Sequence, residues 1–141
     1  MPITVTAPPG GIVDDLDGEA RPLLLRNREI ERFEEHHAPV SIFEVLDRLL
    51  GRGPSPQARH VRDLVTLGLV GGGLNETAAD ALMRELPPAA NVHLRLAAQR
   101  LVVAAFLPPA EAPKKSGGDG SRPAAPSEAA AGMSPDASAT S

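Results

Sequence analysis

"LVGGGLNETAADALM", residues 69–83, decides between two kinds of fold. Three successive glycines lead into a helix start. A glycine loop feeding a helix N-terminus can cradle a phosphate, because its amides point outward and the helix dipole favours an anion. That would make the chain an α/β nucleotide-binding protein. A phosphate loop, however, needs a strand before it and a Gly-Lys-Ser/Thr step into the helix. Here the apolar spacing upstream is helical, Leu74, Asn75 and Glu76 follow, and no lysine lies nearby. The G-x-G-x-x-G spacing of a dinucleotide fingerprint is missing as well. Gly71, Gly72 and Gly73 therefore read as a flexible break between two helices, and the fold that follows is mainly α.

The flanking segments extend this reading in both directions. Upstream, Ser55-Pro56 offers a cap followed by proline at the first helical position, and Ala58, Val61, Leu64, Val65 and Leu69 recur behind it at helical spacing. Before that, "VSIFEVLDRLLGRG" (40–53) carries Ser41 and Glu44 as a capping box, with Val40 placed to staple against Val45. Ile42, Phe43, Val45, Leu46, Leu49 and Leu50 share one broad face, Glu44, Asp47 and Arg48 lie opposite, and Gly51 stops the helix. Downstream, Asn75 caps a helix to Leu86, with Leu74 stapled against Ala79 and a buried face of Ala78, Ala79, Leu82, Met83 and Leu86. Pro87-Pro88 ends it. A last helix runs from about Ala90 to Leu107, where Pro108-Pro109 closes it.

The front of the chain differs. In "GIVDDLDGEARPLLLRN" (11–27), Asp17-Gly18 can take the positive φ angles of a two-residue hairpin turn, with Pro22 on an edge. Asp14, Asp15 and Asp17 read as a solvated acidic edge, since no calcium loop of EF-hand spacing follows. Asn27 caps a short helix from Arg28 with Ile30, Phe33 and His37 on one side, and Pro39 ends it. The expected architecture is mainly α (α+β): a short N-terminal β-hairpin followed by about five helices in a small bundle.

Composition sets the limits. At 141 residues the chain holds one domain. Residues 1–10 read as a flexible N-terminus, 11–107 as the packed domain, and 108–141, rich in Ala, Pro, Ser and Gly, as a disordered tail that cannot bury enough apolar surface to offset its ordering entropy. Only three aromatics, Phe33, Phe43 and Phe106, serve the core, so it is aliphatic. The lack of cysteine removes disulfides and thiolate chemistry and fits a reducing compartment. No apolar run approaches the ~18 residues of a membrane span, and "MPITVTAPPG" has neither the basic start nor the apolar centre of a signal peptide. The expectation is a soluble, cytoplasmic protein. A net charge of −4 without a basic stripe argues against nucleic acid as a partner.

Candidate chemistry is sparse. "EEHHAP" (34–39) is the one metal-like cluster, with His60 and His93 elsewhere. Adjacent histidines point about 100° apart on a helix, so His36 and His37 are not expected to face one ion. They read instead as a polar helix end favouring the dipole's negative pole. No hydrolase elbow, Ser/His/Asp arrangement or oxyanion loop stands out. No catalytic residue, metal site or cofactor is expected, and the protein reads as a non-enzyme.

The last helix says more. Leu94, Ala97, Ala98, Leu101 and Ala105 form one apolar stripe, and Val92, Leu96, Val103 and Leu107 form a second. Arg100 and His93 separate them on one side, Arg95 and Gln99 on the other. Such a helix is either central in its bundle or offers its second stripe to a partner. Val92, Leu96, Val103 and Leu107 are the candidate partner-binding residues.

The run from "PLLLRNREIERFEE" through "SIFEVLDRLLGRG", "ARHVRDLVTLGLVGGG" and "NETAADALMREL" to "HLRLAAQRLVVAAF" resembles the small tail assembly chaperones of gene transfer agents and related tailed phages. Some of that family are labelled tail tube or minor tail proteins. The resemblance covers about residues 11–107 and rests on a Leu-rich strand, the Ile30–Glu34 helix pattern, the Leu69–Gly73 break and the closing Ala104–Phe106. Pro22, the three aspartates and the Ala/Pro/Ser tail depart from the pattern. The resemblance implies a non-enzymatic role in building a phage-like tail, with the apolar, helical tape-measure protein as partner, the tail tube protein as a second, and room for a homo-oligomer. A structural tail subunit, or a small helical adaptor or regulator outside any phage, are the alternatives.

Overall fold

Asp17 and Gly18 both adopt positive φ, 55° and 79°, the conformations that let a two-residue turn follow the twist of its strands. In the computed structural model, which describes residues 4–107, this turn joins β1 (Ile12–Leu16) to β2 (Glu19–Leu23) as an antiparallel pair. Ile12 lies opposite Leu23, Val13 opposite Pro22 and Leu16 opposite Glu19. Among the described residues, five α-helices follow: α1 (Asn27–His36), α2 (Ile42–Leu49), α3 (Ala58–Gly71), α4 (Glu76–Glu85) and α5 (Asn91–Phe106), with one 3₁₀ turn at Pro88–Ala90 before the last. The expected hairpin-and-bundle architecture is the observed one. The expected C-terminal tail lies outside the described residues, and residues 4–10 carry neither helix nor strand.

α3 is the axis. It packs against β2, α1, α4 and α5, and His60, Val61, Leu64, Val65, Leu67, Gly68 and Leu69 are buried around its circumference. Leu23 and Leu25 from the hairpin side, Phe33 from α1, Val45 and Leu49 from α2, Met83 from α4 and Leu94 and Leu101 from α5 complete one aliphatic core. Among the described residues Phe33 is the one fully buried phenyl ring in it.

The glycine run is a seam, not a flexible break. Leu24 donates its amide to the Gly68 carbonyl at 2.9 Å, tying the end of β2 to α3. A Cβ on Gly71 would lie 1.9 Å from the Leu24 carbonyl oxygen, and one on Gly72 would lie 2.1 Å from that of Pro22. The helix comes this close to the strand because it has no side chains there. Only Gly73, at φ +114° with open space around it, acts as a turn residue.

Helix starts follow local chemistry with three departures from expectation. The N-cap of α1 is Arg26, one residue early: its guanidinium and amide both bond Glu29, whose carboxylate is buried. Ser41 caps α2 by accepting the Glu44 amide at 3.1 Å, but Glu44 turns to Arg48 instead of closing the box. Glu34 of α1 takes the Ile42 amide at 2.9 Å. α3 begins at Ala58, two residues after Pro56, with no side-chain cap at Gln57. Ala58 is consequently exposed, as is Ala78 at the start of α4, where Ala79 and Met83 are buried and Leu82 and Leu86 half-buried. Asn75 caps α4 as expected, its side chain accepting the Ala78 amide.

Candidate interaction face

α5 is held in place from three sides. Strand alternation turns Ile12, Asp14 and Leu16 inward together, so Asp14 is buried instead of lying on a solvated edge. Its carboxylate meets His93 Nε2 at 2.7 Å and accepts from Arg100 at 3.0 Å, and Arg100 also reaches the Val13 carbonyl at 3.2 Å. The two polar residues separating the stripes of α5 thereby pin the helix to the hairpin. At its N-terminus, Arg62 of α3 donates to Asn91 at 2.7 Å and to the carbonyls of Met83 and Leu86 at the end of α4. Leu94, Ala97, Ala98, Leu101 and Val102 then seal the inner side of α5 into the core.

The other side stays apolar and is not covered by the described residues. Val92 is 73% exposed, Leu96 57% and Leu107 56%, while Val103 is half-buried between them. The candidate partner-binding stripe therefore runs along the outside of the bundle, spanning about 22 Å at the rise of an α-helix. Phe43 enlarges it. The broad apolar face of α2 was expected to bury this ring with its neighbours, but Ile42, Val45 and Leu49 fill the available space and Phe43 is left 61% exposed. Its ring leans on Phe106 of α5, with centroids 5.3 Å apart, which joins α2 to the C-terminal end of the stripe. Sequence spacing alone grouped Phe43 with the core; the phase within the face, one residue off the Ile42–Val45–Leu49 line, was the missed signal. Single exposed apolar side chains are ordinary; here they line up along one helix as a continuous apolar strip. α5 contains no acidic residue, and Arg95 and Arg100 flank the stripe.

The histidine cluster behaves differently from expectation. α1 ends at His36, so His37 lies in a C-cap conformation (φ −124°, ψ 21°) to which the helical 100° step no longer applies. His36 Nδ1 and His37 Nε2 both lie 2.9 Å from the same Asp63 Oδ2 on α3. The two rings converge instead of diverging.

Near the glycine run, a shallow cavity of about 240 Å³ is lined by Arg21, Pro22, Leu69, Gly72, Gly73 and Leu74. The amides of Gly72, Gly73 and Leu74 are spent on the carbonyls of Gly68, Val70 and Leu69, so they are not free to cradle a phosphate. Among the described residues no helix is long and apolar enough to cross a membrane.

Fold and face together define a small hairpin-fronted helical domain with one apolar helix surface left open. The chain belongs to the family described as phage tail tube protein, GTA-gp10, whose model matches residues 10–107. It is thus a member of a tail-protein family of gene transfer agents. Comparison with curated proteins and with solved structures returned no match.

Proposed function

We propose that the chain is a non-enzymatic tail protein that works by laying the outer face of α5, with Phe43 of α2, against an apolar helix of another tail component, as a chaperone for the tape-measure protein. The observation that carries this reading is the alignment of Val92, Leu96, Val103 and Leu107 on the solvent side of a helix whose opposite side is sealed. A helix-in-groove contact of this kind draws its affinity from apolar anchors at helical spacing. Membership of a tail family supports a tail component as the occupant.

Co-expression with a tape-measure protein of a gene transfer agent is expected to yield a soluble complex, and a Leu96→Asp, Val103→Asp double variant is expected to lose it while remaining folded. Two folded proteins that do not associate would sink the reading. The family's own description favours a second one, a structural subunit of the tail tube. Mass spectrometry of purified particles separates them, because a chaperone leaves before maturation and a tube subunit is retained at stoichiometric level.

A further inference from the structure

We propose that His36, His37 and Asp63 form a binding site for a divalent transition-metal ion, zinc in the first instance, that clasps the end of α1 to the middle of α3. Two imidazole nitrogens and a carboxylate oxygen from residues 26 and 27 positions apart meet at one point, all three ligand atoms lying within 4.8 Å of one another. Nitrogen-rich sets of this kind suit zinc, nickel or copper, not magnesium or calcium. Ligand legs of about 2.0–2.2 Å around a tetrahedral ion place neighbouring ligand atoms roughly 3.3–3.5 Å apart. The observed 2.9 Å separations from Asp63 Oδ2 need to open by about half an ångström, and the two ring nitrogens, within 4.8 Å of each other, need to settle at the same spacing. Three protein ligands leave a fourth position for water or for a group from outside.

Two further observations point to the same place. Arg32, a cation near enough to feel the charge of Asp63, is paired with Glu76 at 2.6 Å instead. Behind them His60 is fully buried, with its ring edge-on to His37 at a centroid distance of 4.6 Å. Among the described residues, neither of its ring nitrogens has a hydrogen-bond partner, nor has the buried Nδ1 of His37. Metal-bound imidazoles ordinarily donate their second N–H to a nearby acceptor. With His37 held by metal through Nε2, the unprotonated ring nitrogen of a neutral His60 is the acceptor that packs nearest on this side.

The test uses the full chain without a histidine tag. Isothermal titration with zinc chloride is expected to show one equivalent bound, and cobalt(II) to give the visible absorption of a four-coordinate site. Asp63→Asn is expected to weaken zinc binding by at least tenfold. Because Asp63 also joins α1 to α3, the exposed ligand provides a second variant: His36→Gln, with helical content checked by circular dichroism, is expected to weaken zinc comparably. His93→Gln, which removes the histidine paired with Asp14, is expected to leave zinc binding unchanged. Absence of one-to-one binding at millimolar zinc would overturn the proposal, as would binding indifferent to the folded His36→Gln variant.

Discussion

The C-terminal end of α3 and the outer side of α5 are both built from small and aliphatic residues, yet they have opposite fates. At α3 the side chains disappear, and Gly71 and Gly72 let the end of β2 come within backbone contact. At α5 the side chains grow, and Val92, Leu96 and Leu107 stand in water. A surface meant to close permanently within one chain removes bulk until main chains touch. The proposed docking face keeps bulk, because large side chains make the anchors that association needs. The polar residues on α5 make the same division: His93 and Arg100 are engaged inward with Asp14, which fixes which side of the helix remains outside.

The sharpest way to break the comparison is inside α5 itself. Leu94 and Leu96 are the same residue type two positions apart, with Leu94 fully buried and Leu96 mostly exposed. Leu94→Ala is expected to cost about 2–5 kcal/mol through lost burial and the cavity left behind, read as a lower midpoint in urea. An equal loss at both positions would mean that the outer face is covered within the monomer.

Next in size is the seam. Gly71→Ala puts a methyl group where the Leu24 carbonyl oxygen lies, so β2 and α3 must separate; overpacking of this kind costs about 1–3 kcal/mol or more. Gly51→Ala has no neighbour among the described residues to clash with and is strained by its φ of +85°, so it is expected to cost less. If the two substitutions cost the same, the glycine run is a linker after all.

What could be read in advance follows from range. The hairpin turn at Asp17-Gly18, the caps at Ser41 and Asn75 and the ends of α4 and α5 depend on a few adjacent residues, and spacing exposes them. The role of Gly71 and Gly72 depends on Leu24 and Pro22, nearly fifty positions away, and nothing local distinguishes a glycine that bends from one that is pressed against a strand. Asp14 has the same difficulty, since its partners His93 and Arg100 lie 79 and 86 positions on. The stripe on α5 was legible as a stripe, but whether it was inner or outer depended on where the hairpin and α2 would dock. His36 and His37 misled because the helix stops between them.

A smaller effect tests how α1 is fastened beside the seam. Burial alone would raise the Glu29 carboxyl, but hydrogen bonds and charge from Arg26 outweigh it and hold the group below its ordinary value of 4.5. The unfolded chain therefore binds more protons than the folded one between the folded-state value and 4.5. The stability from Glu29 is complete above about pH 4.5 and is lost as pH falls through the folded-state value. Glu29→Gln is expected to cost about 1–3 kcal/mol at pH 7 and to flatten the acid limb of a plot of unfolding free energy against pH. An unchanged limb would remove Glu29 from the account of acid sensitivity.

The smallest effect on stability should be the largest on association. Leu96→Ala deletes a side chain that is 57% exposed, and its effect on unfolding is expected to stay within about 0.5 kcal/mol. If the outer face of α5 is an anchor for another tail component, the same change is expected to weaken the complex by more than about 1 kcal/mol, because anchors near the centre of an interface dominate its energy. The stripe places Leu96 between Val92 and Val103, whereas Leu107 sits at its end, so Leu107→Ala is expected to weaken binding less. Binding equally indifferent to both, by a protein whose urea midpoint has not moved, would leave the bare side of α5 as ordinary surface and put the contact elsewhere on the bundle.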